Sequence, residues 1–156
     1  MTAMKQLPKY KCHKEVWALK ILGVEHKPNP DETGQSAAAS YGAILHVNER
    51  FSPIEVPAEW VSRHRPVAGG YFVQYKGGYT SFSPAEAFES GYTRVDSWQE
   101  RLLAEREELK RRLNILLAYI PRADHLSAEE LELLGQQAEH MSVYLAVLDK
   151  RIAKII

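Results

Sequence analysis

The chain of 156 residues contains a single cysteine, Cys12, which excludes an internal disulfide and fits a reducing compartment. It carries no net charge, with 20 Lys and Arg against 20 Asp and Glu. A general nucleic-acid coat protein or a membrane-surface binder uses a large positive field, so neither DNA nor a membrane is expected as a partner. No apolar run approaches the roughly 20 residues that cross a bilayer. The opening MTAMKQLPKYK lacks the apolar core of a signal peptide. The usual catalytic signatures are also missing: there is no G-x-S-x-G, no phosphate-binding P-loop and no H-E-x-x-H. The expectation is a soluble cytoplasmic protein that is not an enzyme and needs neither metal nor cofactor.

What is present falls into two halves that divide near residue 95. Eight of the nine glycines and seven of the eight prolines precede that point. The first half, 1–95, reads as a small β-rich α+β domain. Tyr10–Val24 is strand-rich or mixed, Lys27–Ser40 is a polar loop of small residues, and Tyr41–Val47 is a short strand. Pro57 opens one or two helical turns through Trp60 to His64. Gly70–Tyr75 and Tyr79–Phe82 form a hairpin about Lys76, Gly77 and Gly78, and Ser83-Pro84 caps a short helix ending near Gly91. Arg63, His64, Arg65, Tyr71, Tyr75, Lys76 and Tyr79 make an aromatic and basic cluster there, read chiefly as part core and part surface.

The second half, 96–156, follows a helical period. Ser97 with Glu100 and Ser127 with Glu130 are capping boxes, which start helices over about 97–120 and 127–155. Leu102, Arg106, Leu109, Leu113, Leu116 and Ile120 step by alternating fours and threes. Leu131, Leu134, Ala138, Met141, Leu145, Leu148, Ile152 and Ile155 continue the same repeat in the second helix. Glu129, Glu130 and Glu132 near its start and Lys150, Arg151 and Lys154 near its end suit the helix dipole. The connection Pro121–Leu126 is short, so the helices form an antiparallel hairpin. Further apolar residues flank both seams: Leu103, Ile115 and Leu117 on the first helix, Leu133 and Val147 on the second. These stripes need another layer, and a homodimer or higher oligomer is expected.

Arg106 stands where a plain hairpin would put leucine. It reads either as an arginine snorkelling to Glu105 or Asp149, or as a guanidinium fork for phosphate. Arg122 and His125 lie in the connection, and Gln137, His140 and Tyr144 project from the second helix. Gln137, Tyr144 and Arg151 are spaced by sevens and so line one flank. That flank reads as a polar rim around an oligomer interface or as a nucleotide pocket, with an aromatic for a base, amides for base edges and arginines for phosphates. Cys12-His13 has no second cysteine to complete a metal site, and His26, His46 and His64 show no ligand spacing.

Two stretches of the second half, RLNILLAYI (112–120) and LSAEELELLGQQAEHMSVYLAVLDKRI (126–152), carry a resemblance. They resemble the helical-hairpin domain of phage anti-CBASS proteins and their relatives in crAss-like and tailed phages. The family's understood members are sponges, which bind cyclic di- or trinucleotides made by a bacterial immune cyclase and starve its effector without cleaving the signal. The resemblance implies such a ligand, action in the cytoplasm of an infected bacterial host, and a site within 122–144. It departs from the best-understood sponges where they hold an aromatic in the connection and a lysine early in the second helix; here stand Ala123 and Ala138, with Gln137 nearby. The competing expectation is an oligomeric phage protein that inhibits a host protein by contact. The segments 10–21 and 64–92 resemble an uncharacterised domain of prophage proteins, with no activity implied.

Overall fold

The computed structural model describes residues 7–28 and 41–155. The chain has the α+β architecture, in two compact units, Met1–Tyr92 and Thr93–Ile156. Most of the loop expected at 27–40, from residue 29 on, lies outside the described residues.

The first unit contains strands β1 (Trp17–Lys20), β2 (Gly23–His26), β3 (Ala43–His46) and β4 (Ile54–Val56), helix α1 (Ala58–His64), strands β5 (Tyr71–Gln74) and β6 (Thr80–Ser83), and helix α2 (Ala85–Gly91). They form two antiparallel three-stranded sheets, ordered β1-β5-β6 and β2-β3-β4. Both sheets share the segment that runs through Ile21. The Ile21 N–H donates to the Gly70 carbonyl at 2.8 Å, its carbonyl accepts from Gly69 at 2.7 Å, and the next residue, Leu22, donates to His46. One extended segment therefore passes from the first sheet to the second, with the Ile21 side chain fully buried where they meet.

Register puts the apolar side chains in rows, because residues two apart on a strand share a face. Phe72 lies opposite both Leu19 and Phe82, while Leu45 lies opposite Val24 and Ile54. The core collects Ile21, Ala43, Leu45, Val56 and Val61, with Trp60, Phe72 and Phe82 packed against it. On the strand face opposite Phe72, Tyr71 stacks on Phe88 of α2 at 4.1 Å, and Phe88 stacks on Tyr92 at 4.6 Å. The Tyr71 hydroxyl donates to Glu89 at 2.8 Å.

The β5–β6 hairpin closes through Tyr75 and Tyr79, and Gly78 takes a φ of +89° that a side chain would strain. Two local expectations change in detail. Pro57 occupies the cap position of α1 rather than its first helical position, Pro84 of the expected Ser83-Pro84 cap is the cap residue of α2, and neither cap uses a side-chain hydrogen bond. The extended backbone a cap requires is one that proline's fixed φ supplies. Strand β4 was not expected at all.

The second unit is a helical hairpin. Helix α3 (Trp98–Tyr119) is followed by one 3-10 turn, Ile120–Arg122, and helix α4 spans Ala128–Ala153. Both capping boxes form: Ser97 Oγ accepts from the Glu100 N–H at 3.1 Å, and Ser127 Oγ from the Glu130 N–H at 3.2 Å. Leu102, Leu113, Ala138 and Leu148 are buried along the seam, and Ala123 is buried in the connection.

Two substitutions, with a third as control, test these packings. A Cβ on Gly70 would run into the Phe82 ring and the Ser83 carbonyl, so Gly70→Ala is expected to lower stability by about 1–3 kcal/mol in urea denaturation. Gly77→Ala meets open space and should leave it nearly unchanged. Leu148→Ala, truncating a side chain 1% exposed, should cost about 2–5 kcal/mol.

Acid provides a third test. The Tyr71 hydrogen bond, with smaller help from Lys20, holds the Glu89 carboxyl below its ordinary value of 4.5. A lowered carboxyl pKa stabilises the fold above the unfolded value and loses that effect as pH falls through the folded one. Thermal melts should therefore lose stability below about pH 4.5, less steeply in Tyr71→Phe than in the parent.

Candidate ligand-binding site

The six candidate residues of the hairpin fall into three places. Arg122 and His125 sit at the turn between the helices, both exposed. The Tyr119 hydroxyl lies 3.3 Å from His125 Nε2, with the two rings edge to face at 6.4 Å. Asp124 approaches the other ring nitrogen at 4.0 Å. The His125 ring is thus oriented from two directions, while the Arg122 side chain has no ion pair among the described residues. Tyr119 was not singled out as a site residue, although it ends the seam-bearing helix one step before Ile120.

Gln137, His140 and Tyr144 form the second group. They are exposed on α4, and at about 1.5 Å rise per residue they span roughly 10 Å of one helix face. Gln137 reaches Met141 Sδ at 3.9 Å, which leaves its carbonyl oxygen free. Leu133 and Val147, 56% and 48% exposed, lie on the same flank, spaced seven residues either side of His140. Arg151, seven beyond Tyr144, extends that flank and is unpaired. The row therefore combines an amide, an imidazole, a phenol and a guanidinium with apolar side chains between them.

Arg106 stands apart. Its Nε donates to Asp149 Oδ1 at 2.9 Å, and its Nη1 binds Glu107. The hydrogen bond to Asp149, then that to Glu107, raises its pKa further above the ordinary arginine value. Two carboxylates already occupy the fork that a phosphate would need. At about 100° per residue, Asp149 lies roughly 140° around α4 from Tyr144, so this ion pair is on the other side of the seam from the α4 row. Arg122 and Tyr144 are also far apart, by more than 20 Å along the helix at 1.5 Å per residue. A single hairpin thus unites Gln137, His140 and Tyr144, but brings neither Arg106 nor the connection to them.

Two other arginines of α3 are paired locally. Glu108 accepts from Arg111 at 2.7 Å and from Arg112 at 2.9 Å. An open depression of about 610 Å³ beside them, lined in part by Arg94, Glu100, Leu103 and Arg111, has its arginines paired to Asp96, Glu100 and Glu108. Among the described residues no group of three or more His, Cys, Asp or Glu could hold a metal ion. Cys12 is exposed, its Sγ accepting from the Lys14 N–H. No helix among those residues is long and apolar enough to cross a membrane.

Residues 96–154 match the model of the Sequestin family. The matched segment coincides with the helical unit and contains all six candidates. No curated protein sequence matches the chain. Among solved structures, the chain is similar to the NMR solution structure of the monomeric form of the phage L decoration protein, at 22% identity, over 62% of this chain and 68% of that one, with a TM-score of 0.39. That likeness is too distant to bear on function.

The ion pair beside the seam makes its own prediction. Asp149→Asn should lower the melting temperature of the hairpin and reduce the difference between melts at 0.05 and 1 M salt, because the exposed pair is screened by salt. Circular dichroism at 222 nm reads both.

Proposed function

We propose that the helical unit binds and sequesters a cyclic di- or trinucleotide immune signal, without cleaving it, in the cytoplasm of a phage-infected bacterium. The observation that carries this reading is the match of residues 96–154 to the Sequestin family, whose name denotes sequestration. The α4 row supports the ligand class. Tyr144 offers a ring for a base, Gln137 and His140 offer hydrogen-bonding edges, and Arg151 offers an unpaired guanidinium for phosphate. Binding requires no catalytic pair, and the row contains none.

On this reading the site is completed by a second copy. The α4 row lies beside exposed apolar residues on both helices, including Tyr119, Leu133 and Val147. A two-fold pairing through that flank covers them and presents each residue twice, matching a ligand with two bases and two phosphates. It also allows Arg122 and His125 of one hairpin to approach the row of the other. Arg106, committed to Asp149, is left out of the ligand contacts. Two charge-assisted contacts and two stacks, at about 1–3 kcal/mol each, suffice for tight binding if the pocket is pre-formed.

The same exposed apolar flank favours a second reading, an oligomeric protein that inhibits a host protein by contact. Thermal shift separates the two, since a ligand at 100 times its Kd adds about 2.7 kcal/mol to stability. A panel of cyclic di- and trinucleotides should contain one that raises the melting temperature by several degrees and is recovered intact after denaturation. Tyr144→Ala and Arg122→Ala should each weaken its binding about tenfold or more, as expected for a lost stack or charged contact, without changing the mass by sedimentation. A flat panel supports the contact inhibitor instead.

A further inference from the structure

The first unit carries a row of rings that the hairpin's function does not use. Its inner end is fixed: Trp60 packs on Phe72 at 5.8 Å, and its indole N–H donates to Thr80 Oγ1 at 3.0 Å. His64, one helical turn on in α1, lies 4.7 Å from the Trp60 ring. Tyr79 meets His64 edge to face at 6.4 Å, and Tyr75 lies 5.7 Å from Tyr79 across the neck of the β5–β6 hairpin. The row thus runs outward from the core to Tyr79, which is 56% exposed. A ring that only completed a core would not be so uncovered.

Three cations border it. Arg63 precedes His64 and acts on it electrostatically, Arg65 follows at the end of α1, and Lys76 sits in the turn beside Tyr75. Among the described residues none of the three has an ion pair or hydrogen bond through its side chain, whereas every arginine of α3 does. Arg65 also holds a left-handed φ of 45°, at a helix end where glycine is usual. Burial, with a smaller push from Arg63, lowers the pKa of His64, which favours the uncharged ring beside those cations.

We propose that this face binds a nucleotide unit, its base lying on the exposed Tyr79 ring beside His64 and its phosphate held by Arg63, Arg65 and Lys76. Flat rings match the faces of bases, and unpaired guanidinium and ammonium groups match phosphate. A neutral sugar would use the rings without the cations; an acidic peptide would use the cations without the rings. All of these residues belong to the first unit. It takes the same chemistry from a free nucleotide or from a single strand.

The test uses the full-length chain and fluorescein-labelled pentathymidylate, followed by anisotropy at low salt, with AMP and inorganic pyrophosphate as competitors. The expected result is binding that AMP displaces better than pyrophosphate, weakened about tenfold or more by Tyr79→Ala, as for loss of one base–ring stack. The double variant Arg63→Glu, Arg65→Glu should abolish it, while Arg50→Glu, in the exposed β3–β4 turn, should change it little. Displacement by AMP at lower concentration than by unlabelled pentathymidylate assigns the site to free nucleotides; the reverse assigns it to strands. Absence of binding, equal displacement by pyrophosphate, insensitivity to Tyr79→Ala in a variant with the parent's melting temperature, or equal loss in Arg50→Glu overturns the proposal. Because Tyr144→Ala lies in the other unit, its effect on cyclic nucleotides is read separately.

Discussion

Two helices packed side by side have only one seam, and the second unit is organised by that limit. Leu102 and Leu113 of α3 meet a helix whose own buried residues are Ala138 and Leu148. The alternation of threes and fours keeps these positions on one line as the helices turn. Once that line is filled, each helix still has two flanks and an outer face. Small and charged residues take part of this surface, but Leu103, Ile115, Leu117, Leu133, Val143 and Val147 do not leave it polar. Apolar side chains at this density on a hairpin need a further layer to be withdrawn from water. The placement of the α4 row beside them follows from the same limit, since only the flanks can carry side chains toward a partner.

The first unit solves its packing differently. Its sheets are too small to close a core separately, so the chain through Ile21 belongs to both and holds them against one cluster. Trp60 spans the boundary between that cluster and the surface, anchored by Thr80. The outward row of rings is consequently built on a fixed base: His64 packs on Trp60, and Tyr79 is held where the hairpin closes on Tyr75. An aromatic surface of this kind is pre-organised, which reduces the entropy lost when a flat ligand settles on it.

Much of this could be read from the residues, for identifiable reasons. The hairpin was legible because its period, its two capping boxes and the brevity of its connection all agree, and local agreement of this sort fixes both elements and their pairing. Strand β4 was not legible: three residues between Pro53 and Pro57 are too few to show an alternation, and the strand exists through its pairing with β3. The occupancy of the Arg106 position was legible, and Asp149 was one of its two expected partners. Its second carboxylate, Glu107, is the neighbouring residue, and no face periodicity singles out such a contact. The separation of Arg122 from Tyr144 follows from helix rise alone. The choice between polar rim and pocket does not, because amides and aromatics at a spacing of seven look the same in either role.

On the proposed reading, the charges weigh in that choice. A phosphate-binding flank must keep a cation free of carboxylates, since a paired guanidinium would have to exchange one anion for another with little net gain. On α3 the arginines that face the helix surface are already bonded to Glu107, Glu108 and Asp149, or to backbone carbonyls in the case of Arg101. On α4 Arg151 is not, and neither is Arg122 in the connection. These two arginines thus stand at opposite ends of the helix that bears Gln137, His140 and Tyr144. In an antiparallel pair of hairpins these ends exchange places, so that Arg122 of one copy comes toward Arg151 of the other while the central row meets its own image. On the proposed reading, the symmetry that would cover the apolar flank is also the one that would gather the unpaired positive charge around the ring and amides, which neither copy achieves alone.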